Sequence, residues 1–177
     1  SEYGATAKTA TYTYNVVEGD EDTDGVTVKA SAIATGGDTF ADAAGNAADL
    51  SFAAVTSAYN VDGLQPTIFS IQSSTADGSY TTTDVIAVTA TTSENITAGT
   101  LVLTLNSGET VELVSNGTTT LSGSYTIGAG ASETADLNVN SIALGTTNAT
   151  DAAGNTVSIT LPVTNLTTDR TIVIDKT

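Results

Sequence analysis

Phe40-Ala41-Asp42-Ala43-Ala44-Gly45-Asn46 recurs as Ala149-Thr150-Asp151-Ala152-Ala153-Gly154-Asn155, so Asp42 and Asp151 stand 109 positions apart. The match extends in both directions. Upstream, Val26-Thr27-Val28-Lys29-Ala30 aligns with Leu137-Asn138-Val139-Asn140-Ser141, and Tyr12-Thr13-Tyr14-Asn15-Val16 aligns with Gly123-Ser124-Tyr125-Thr126-Ile127. Downstream, Val61-Asp62-Gly63 aligns with Ile174-Asp175-Lys176. Landmarks in the same order define an internal repeat. Its period is the size of a whole module, well above the roughly 20–50 residues of solenoid repeats.

Strand signals fill the second copy. Alternating or β-branched runs occupy residues 67–73, 84–91, 100–106, 110–114, 120–127, 137–142 and 157–161, and are assigned here as strands A, B, C, C′, E, F and G. Turn clusters separate them at Ala76-Asp77-Gly78, Asn106-Ser107-Gly108, Ser115-Asn116-Gly117 and Gly128-Ala129-Gly130. No stretch has helical periodicity. Short strands joined by regular turns predict an all-β chain of immunoglobulin-like antiparallel β-sandwich modules in tandem. Residues 1–62 align only with strands E, F and G, the C-terminal half of a repeat. Residues 63–177 read as a complete repeat with a C-terminal linker over 165–175. Unless Ser1–Lys8 supplies a further strand, three strands cannot cover both faces of a sandwich core. The first module is therefore expected to be a split domain, completed by a neighbouring chain or an upstream repeat. The chain starts and stops in strand-like sequence and reads as part of something longer.

Composition narrows the chemistry. Hydrophobic residues make up 40% of the chain but aromatics only 5%, so the core is built from small and β-branched side chains. Cys, His, Met and Trp are absent. That removes disulfides, thiolate nucleophiles and thiolate metal sites. It also removes the commonest general base and the commonest transition-metal ligand. Oxygen is left as the metal-binding atom, which suits hard cations and calcium above all. The 20 acidic residues against 4 basic ones give a net charge of −16. Such a surface repels nucleic acid, whose phosphates need Lys and Arg. It also repels anionic membranes, and no apolar run reaches the ~20 residues of a span. Acid excess serves solubility in any case; clustering of some carboxylates around cations is the sharper reading.

Strand order sorts the loops onto two poles of each sandwich. With strand A entering at one pole and G leaving at the other, the B–C and F–G loops share the entry pole and the E–F loop lies at the exit pole. At the junction between copies, the first copy offers its E–F loop, Glu18 to Gly25, and the linker offers Asn60 and Asp62. The second copy offers Glu94, Asp151 and Asn155. These groups are expected to converge, and gathered carboxylates need a cation to hold them together. Calcium takes about 6–8 oxygens at roughly 2.3–2.6 Å. The run Asp20-x-Asp22-x-Asp24-Gly25 opens like an EF-hand loop, but Ser31 stands where the twelfth-position Glu belongs. A calcium-binding turn on a β scaffold or a solvated acidic turn remains. Asp42 with Asn46 would face an upstream module, and Asp175 a downstream one. The Asp-Ala-Ala-Gly-Asn loops also have a purely structural reading, since Asp and Asn stabilise tight turns and Gly accepts positive φ. Four Asn-x-Ser/Thr sequons, at Asn95, Asn116, Asn148 and Asn165, carry little weight in so Thr-rich a chain.

Asp42–Asn46 and Asp151–Asn155, Ser93-Glu94, and Asp62 ahead of Pro66 together resemble the immunoglobulin-like (cadherin-like) tandem repeats of giant RTX-type and biofilm adhesins of bacteria. The resemblance implies a secreted, cell-surface extender, with modules strung between an anchor and a distal head and Ca2+ at the junctions. Its partners would be adjacent repeats of the same protein. One departure is the second linker, four residues longer than the first. An adhesive module gripping a glycan or host protein through its loops is the rival reading, and an accessory domain of a polysaccharide-degrading enzyme is a third. Catalysis itself is not expected: no His supports an acyl-transfer triad, and 6 Tyr with 3 Phe line no sugar cleft.

Overall fold

A computed structural model describes residues 11–177 of the chain. The chain forms two compact units, Ser1–Leu64 and Gln65–Thr177. It is nearly all β, with mainly antiparallel pairing, consistent with a β-sandwich. No helix among the described residues is long and apolar enough to cross a membrane.

Among its described residues the first unit holds four short strands, β1 (Glu21–Asp22), β2 (Thr27–Val28), β3 (Val55–Thr56) and β4 (Val61–Asp62). They pair antiparallel as β1 with β4 and β2 with β3, each a two-stranded ladder. Gly25, in the left-handed region at φ +103, lies buried against the Ser57 carbonyl, where a side chain has no room. No hydrophobic side chain among the described residues of this unit is buried.

The second unit is the opposite case. Its strands are β5 (Ile68–Gln72), β6 (Gly78–Tyr80), β7 (Val85–Thr92), β8 (Thr100–Leu105), β9 (Thr110–Ser115), β10 (Thr120–Thr126), β11 (Val139–Leu144) and β12 (Ile172–Ile174). Six of them form one antiparallel sheet in the order β11-β8-β9-β10-β7-β5. Period-2 alternation sends Ile86, Val88 and Ala90 of β7, and Leu101, Leu103 and Leu105 of β8, to one buried face. Val111 and Leu113 of β9 and Leu121 and Tyr125 of β10 continue the same core. Each large side chain so buried contributes about 1.5–3 kcal/mol.

Six strand expectations, at 67–73, 84–91, 100–106, 110–114, 120–127 and 137–142, coincide with β5 and β7 to β11. The last strand does not fall where alternation put it. Residues 157–161 form no strand. The segment expected as a linker does the work instead. Asn165 caps a single helical turn, α1 (Leu166–Asp169), through its side chain and a reciprocal bond from Thr168. The chain then enters β12, where Ile172 and Ile174 are buried with Leu166. β12 pairs parallel with β6 on one side and meets Thr134 antiparallel on the other. Residues 165–175 thus belong to the body of the unit, because their apolar side chains fill its core.

Candidate metal centre

The repeated loop folds the same way in both units. In the first, Asp42 Oδ1 accepts the N–H groups of Ala44 and Asn46, each at 2.9 Å, and Oδ2 accepts Asn46 Nδ2 at 2.9 Å. In the second, Asp151 Oδ1 accepts the N–H groups of Gly154 at 2.7 Å and Asn155 at 2.9 Å, and Oδ2 accepts Asn155 Nδ2 at 2.9 Å. The backbone closes alike: Asp42 N–H reaches the Asn46 carbonyl at 3.0 Å, and Asp151 N–H reaches that of Asn155 at 3.2 Å. Gly45 and Gly154 sit at φ +86 and +96, so glycine is the residue the turn accepts most easily. The aspartate in each loop therefore has a structural task whatever else it does. The Asn46 side chain, followed by the Asn46 backbone N–H, holds the Asp42 carboxyl below its ordinary pKa.

Burial separates the two loops. Asp42 is exposed, whereas Asp151 is only 5% exposed. The Thr97 hydroxyl donates to the Asp151 carbonyl at 2.8 Å, and Thr97 N–H donates to the Thr150 carbonyl at 2.9 Å. Ala98 bridges Thr150 in antiparallel register. These bonds clamp the loop to the segment that follows β7. That segment carries Glu94, whose carbonyl accepts the Thr92 hydroxyl at 2.8 Å. A carboxylate oxygen of Glu94 accordingly lies within 4.8 Å of one on Asp151. At that separation two negative charges repel by about 1 kcal/mol in water and about 3.5 kcal/mol at an effective dielectric near 20. A divalent cation between them reverses the sign. All candidate ligand atoms here are oxygens, as a hard ion requires.

Several other acidic residues lie in the first unit. Asp20 Oδ2 accepts the Val17 N–H at 2.8 Å and the Tyr14 hydroxyl at 2.7 Å. These bonds, the Val17 one foremost, hold Asp20 below its ordinary pKa. Asp22 Oδ1 accepts the N–H groups of Asp24 at 3.2 Å and Gly25 at 2.7 Å. The loop therefore closes on its own backbone and lies within a β ladder, without the helical flanks of an EF-hand. Asp24 is exposed. Asp62 Oδ1 accepts the Leu64 N–H at 3.1 Å, and Asp62 stands opposite Glu21 across the β1–β4 ladder. That like-charge pair is invisible in the sequence, since a register is needed to see it. Asp175 turns back on its own terminus, accepting the Thr177 N–H and hydroxyl at 3.1 and 2.8 Å, which lower its pKa.

Glu109 is a second acidic residue whose partners no local sequence pattern reveals. Its Oε2 accepts the Tyr125 hydroxyl at 2.8 Å and the Gly128 N–H at 3.0 Å, and Tyr125 shares a further hydrogen bond with Ser107 at 3.0 Å. Burial pushes the Tyr125 pKa up to about 12, with the Ser107 bond opposing and Glu109 adding to the rise. The position of Glu109 beside a Ser-Gly turn gave no sign of this, because its partners come from a different hairpin. Comparison of the chain with protein-family models, curated proteins and solved structures returned no match.

Proposed function

We propose that this chain is a structural, non-catalytic extender segment of a large bacterial surface adhesin. Its immunoglobulin-like modules would be stiffened where they join by bound Ca2+, outside the cell. The observation that carries the reading is the Glu94–Asp151 pair: two carboxylates within 4.8 Å, one of them almost fully buried. Evolution of a fold tolerates such repulsion at a cost unless an ion offsets it. Asp62 belongs to the same proposal. It stands three positions ahead of Gln65, where the second unit begins, and three residues of chain span at most about 10 Å. Beside Glu94 and Asp151 it would add a third carboxylate to the shell of such an ion. Asn155, backbone carbonyls and water would complete the shell.

In this mechanism the acidic groups keep the junction loose without metal and draw it into one geometry with metal. Affinity for extracellular modules of about 10⁻⁴–10⁻³ M would match calcium outside cells. Asp20, Asp22 and Asp24, Asp42 with Asn46, and Asp175 are proposed as weaker or partner-dependent ligands. Thermal unfolding in calcium and then in chelator tests the reading. A midpoint that rises with calcium and falls back with chelator is expected. A midpoint that ignores both removes the mechanism, and specific capture of a glycan by the loops would favour the adhesive-module rival.

A further inference from the structure

Among the described residues, the one parallel pairing between strands joins β6 to β12, near the two ends of the second unit. β5 pairs antiparallel with β7, and the chain then leaves that sheet and runs on through β6 beside β12. Ile172 stands opposite Gly78, Val173 opposite Ser79 and Ile174 opposite Tyr80. Gly78 N–H donates to the Thr171 carbonyl at 3.1 Å and Asp175 N–H to the Tyr80 carbonyl at 3.0 Å, which closes the ladder at both ends. Asp77 Oδ1 adds an acceptor for Thr171 N–H at 3.1 Å.

The far edge of β12 is held as well. Ile174 N–H reaches the Thr134 carbonyl at 3.0 Å, Thr134 N–H returns to Ile174 at 3.1 Å, and Leu137 N–H reaches the Ile172 carbonyl at 2.7 Å. Past the strand, Lys176 N–H donates to Glu133 Oε1 at 3.2 Å, and the Lys176 ammonium donates to the carbonyls of Ala129 and Ala131. β12 is thus fastened along both edges and at its end.

Direction gives this fastening a consequence. β6 and β12 run the same way. Tension at Gln65 draws β6 backward along its axis through β5, and tension at Thr177 draws β12 forward along its own. The strands are pulled past each other, so their ladder bonds stretch together. Forced unfolding is a rate, set by the contacts that lie across the load and not by total stability.

We infer that the β6–β12 pair is a shear-loaded clamp, the contact that holds the second unit together when tension runs along the chain from Gln65 to Thr177. Its purpose rests on the extender reading, in which the chain carries load. Its strength does not rest on calcium, because its bonds are between protein groups.

The test is single-molecule pulling on the full chain, which has no native Cys to compete with engineered handles. Leu64→Cys with a Cys added after Thr177 loads the pair in shear. Thr81→Cys with the same added Cys pulls β6 and β12 from one shared end, so the ladder opens bond by bond. At equal pulling speed the shear geometry should need at least ~2-fold more force. The N–H and carbonyl of Val173 lie on the edge that faces β6, between the bonds of Thr171 and Asp175. Val173→Pro should therefore lower the shear force at least ~2-fold. Leu103→Ala, in the core face of β8, should destabilise the unit in denaturant yet leave the shear force near the wild-type value. Equal forces in the two geometries overturn the inference, even where Val173→Pro does not fold. So does a shear force that Leu103→Ala lowers as much as Val173→Pro. A shear peak that survives chelator supports the clamp whether or not calcium shifts Tm. A peak that vanishes in chelator overturns the clamp and leaves the calcium reading standing.

Discussion

Glu94→Gln separates a calcium site from a chance meeting of acids, because its effect should change sign with the metal. The substitution keeps the size of the side chain and removes one charge. Without metal, the Glu94 and Asp151 oxygens within 4.8 Å repel by between about 1 and about 3.5 kcal/mol, depending on how much water screens them. Taking the lower figure, Glu94→Gln in chelator should stabilise the second unit by about 1 kcal/mol. That raises Tm by roughly 4–8 °C for a domain of this size. In about 10 mM calcium, an ion held at 10⁻⁴–10⁻³ M adds about 1.4–2.7 kcal/mol to the wild type. The variant, short of one charged ligand, should lose most of that gain. Calorimetry of both proteins in both buffers should thus show the order of stability crossing over. If Glu94→Gln leaves the calcium-induced shift intact, or lowers Tm equally in chelator and calcium, the carboxylate pair is not a cation site.

Two further substitutions address the body of the second unit. Tyr125 keeps its proton to about pH 12 when folded, against 10.0 in the open chain. Stability is therefore whole below pH 10 and falls by about 2–3 kcal/mol as pH rises from 10 to 12. Urea unfolding across that window should show a shallower decline for Tyr125→Phe, and parallel declines would refute the assignment. Asn165→Ala removes the acceptor for Leu166 N–H at 2.7 Å and the donor to the Val139 carbonyl at 3.1 Å. A lost cap costs about 1 kcal/mol and an orphaned buried carbonyl about 1–3 kcal/mol, so denaturant melts should show about 2–4 kcal/mol of destabilisation. A flexible linker would show almost none.

What each level of description decided follows from the reach of the forces involved. Residue order alone determined the internal repeat and most strands of the second unit. Alternation of Val, Ile, Leu and Thr is a local property, and sheet faces obey it wherever a strand exists. It also determined the Asp-Ala-Ala-Gly-Asn turn, whose bonds all lie within five residues. Tertiary structure decided which alternating run becomes the last strand. Val157, Ile159 and Leu161 alternate as well as Ile172 and Ile174 do, but a strand exists only where partners stand, and β6 and Thr134 stand beside 172–174. It also decided that Glu94 meets Asp151 across 57 positions of chain, and that Glu109 meets Tyr125 and Gly128. Contacts between distant segments depend on how the sheet closes, and no window of sequence contains that closure.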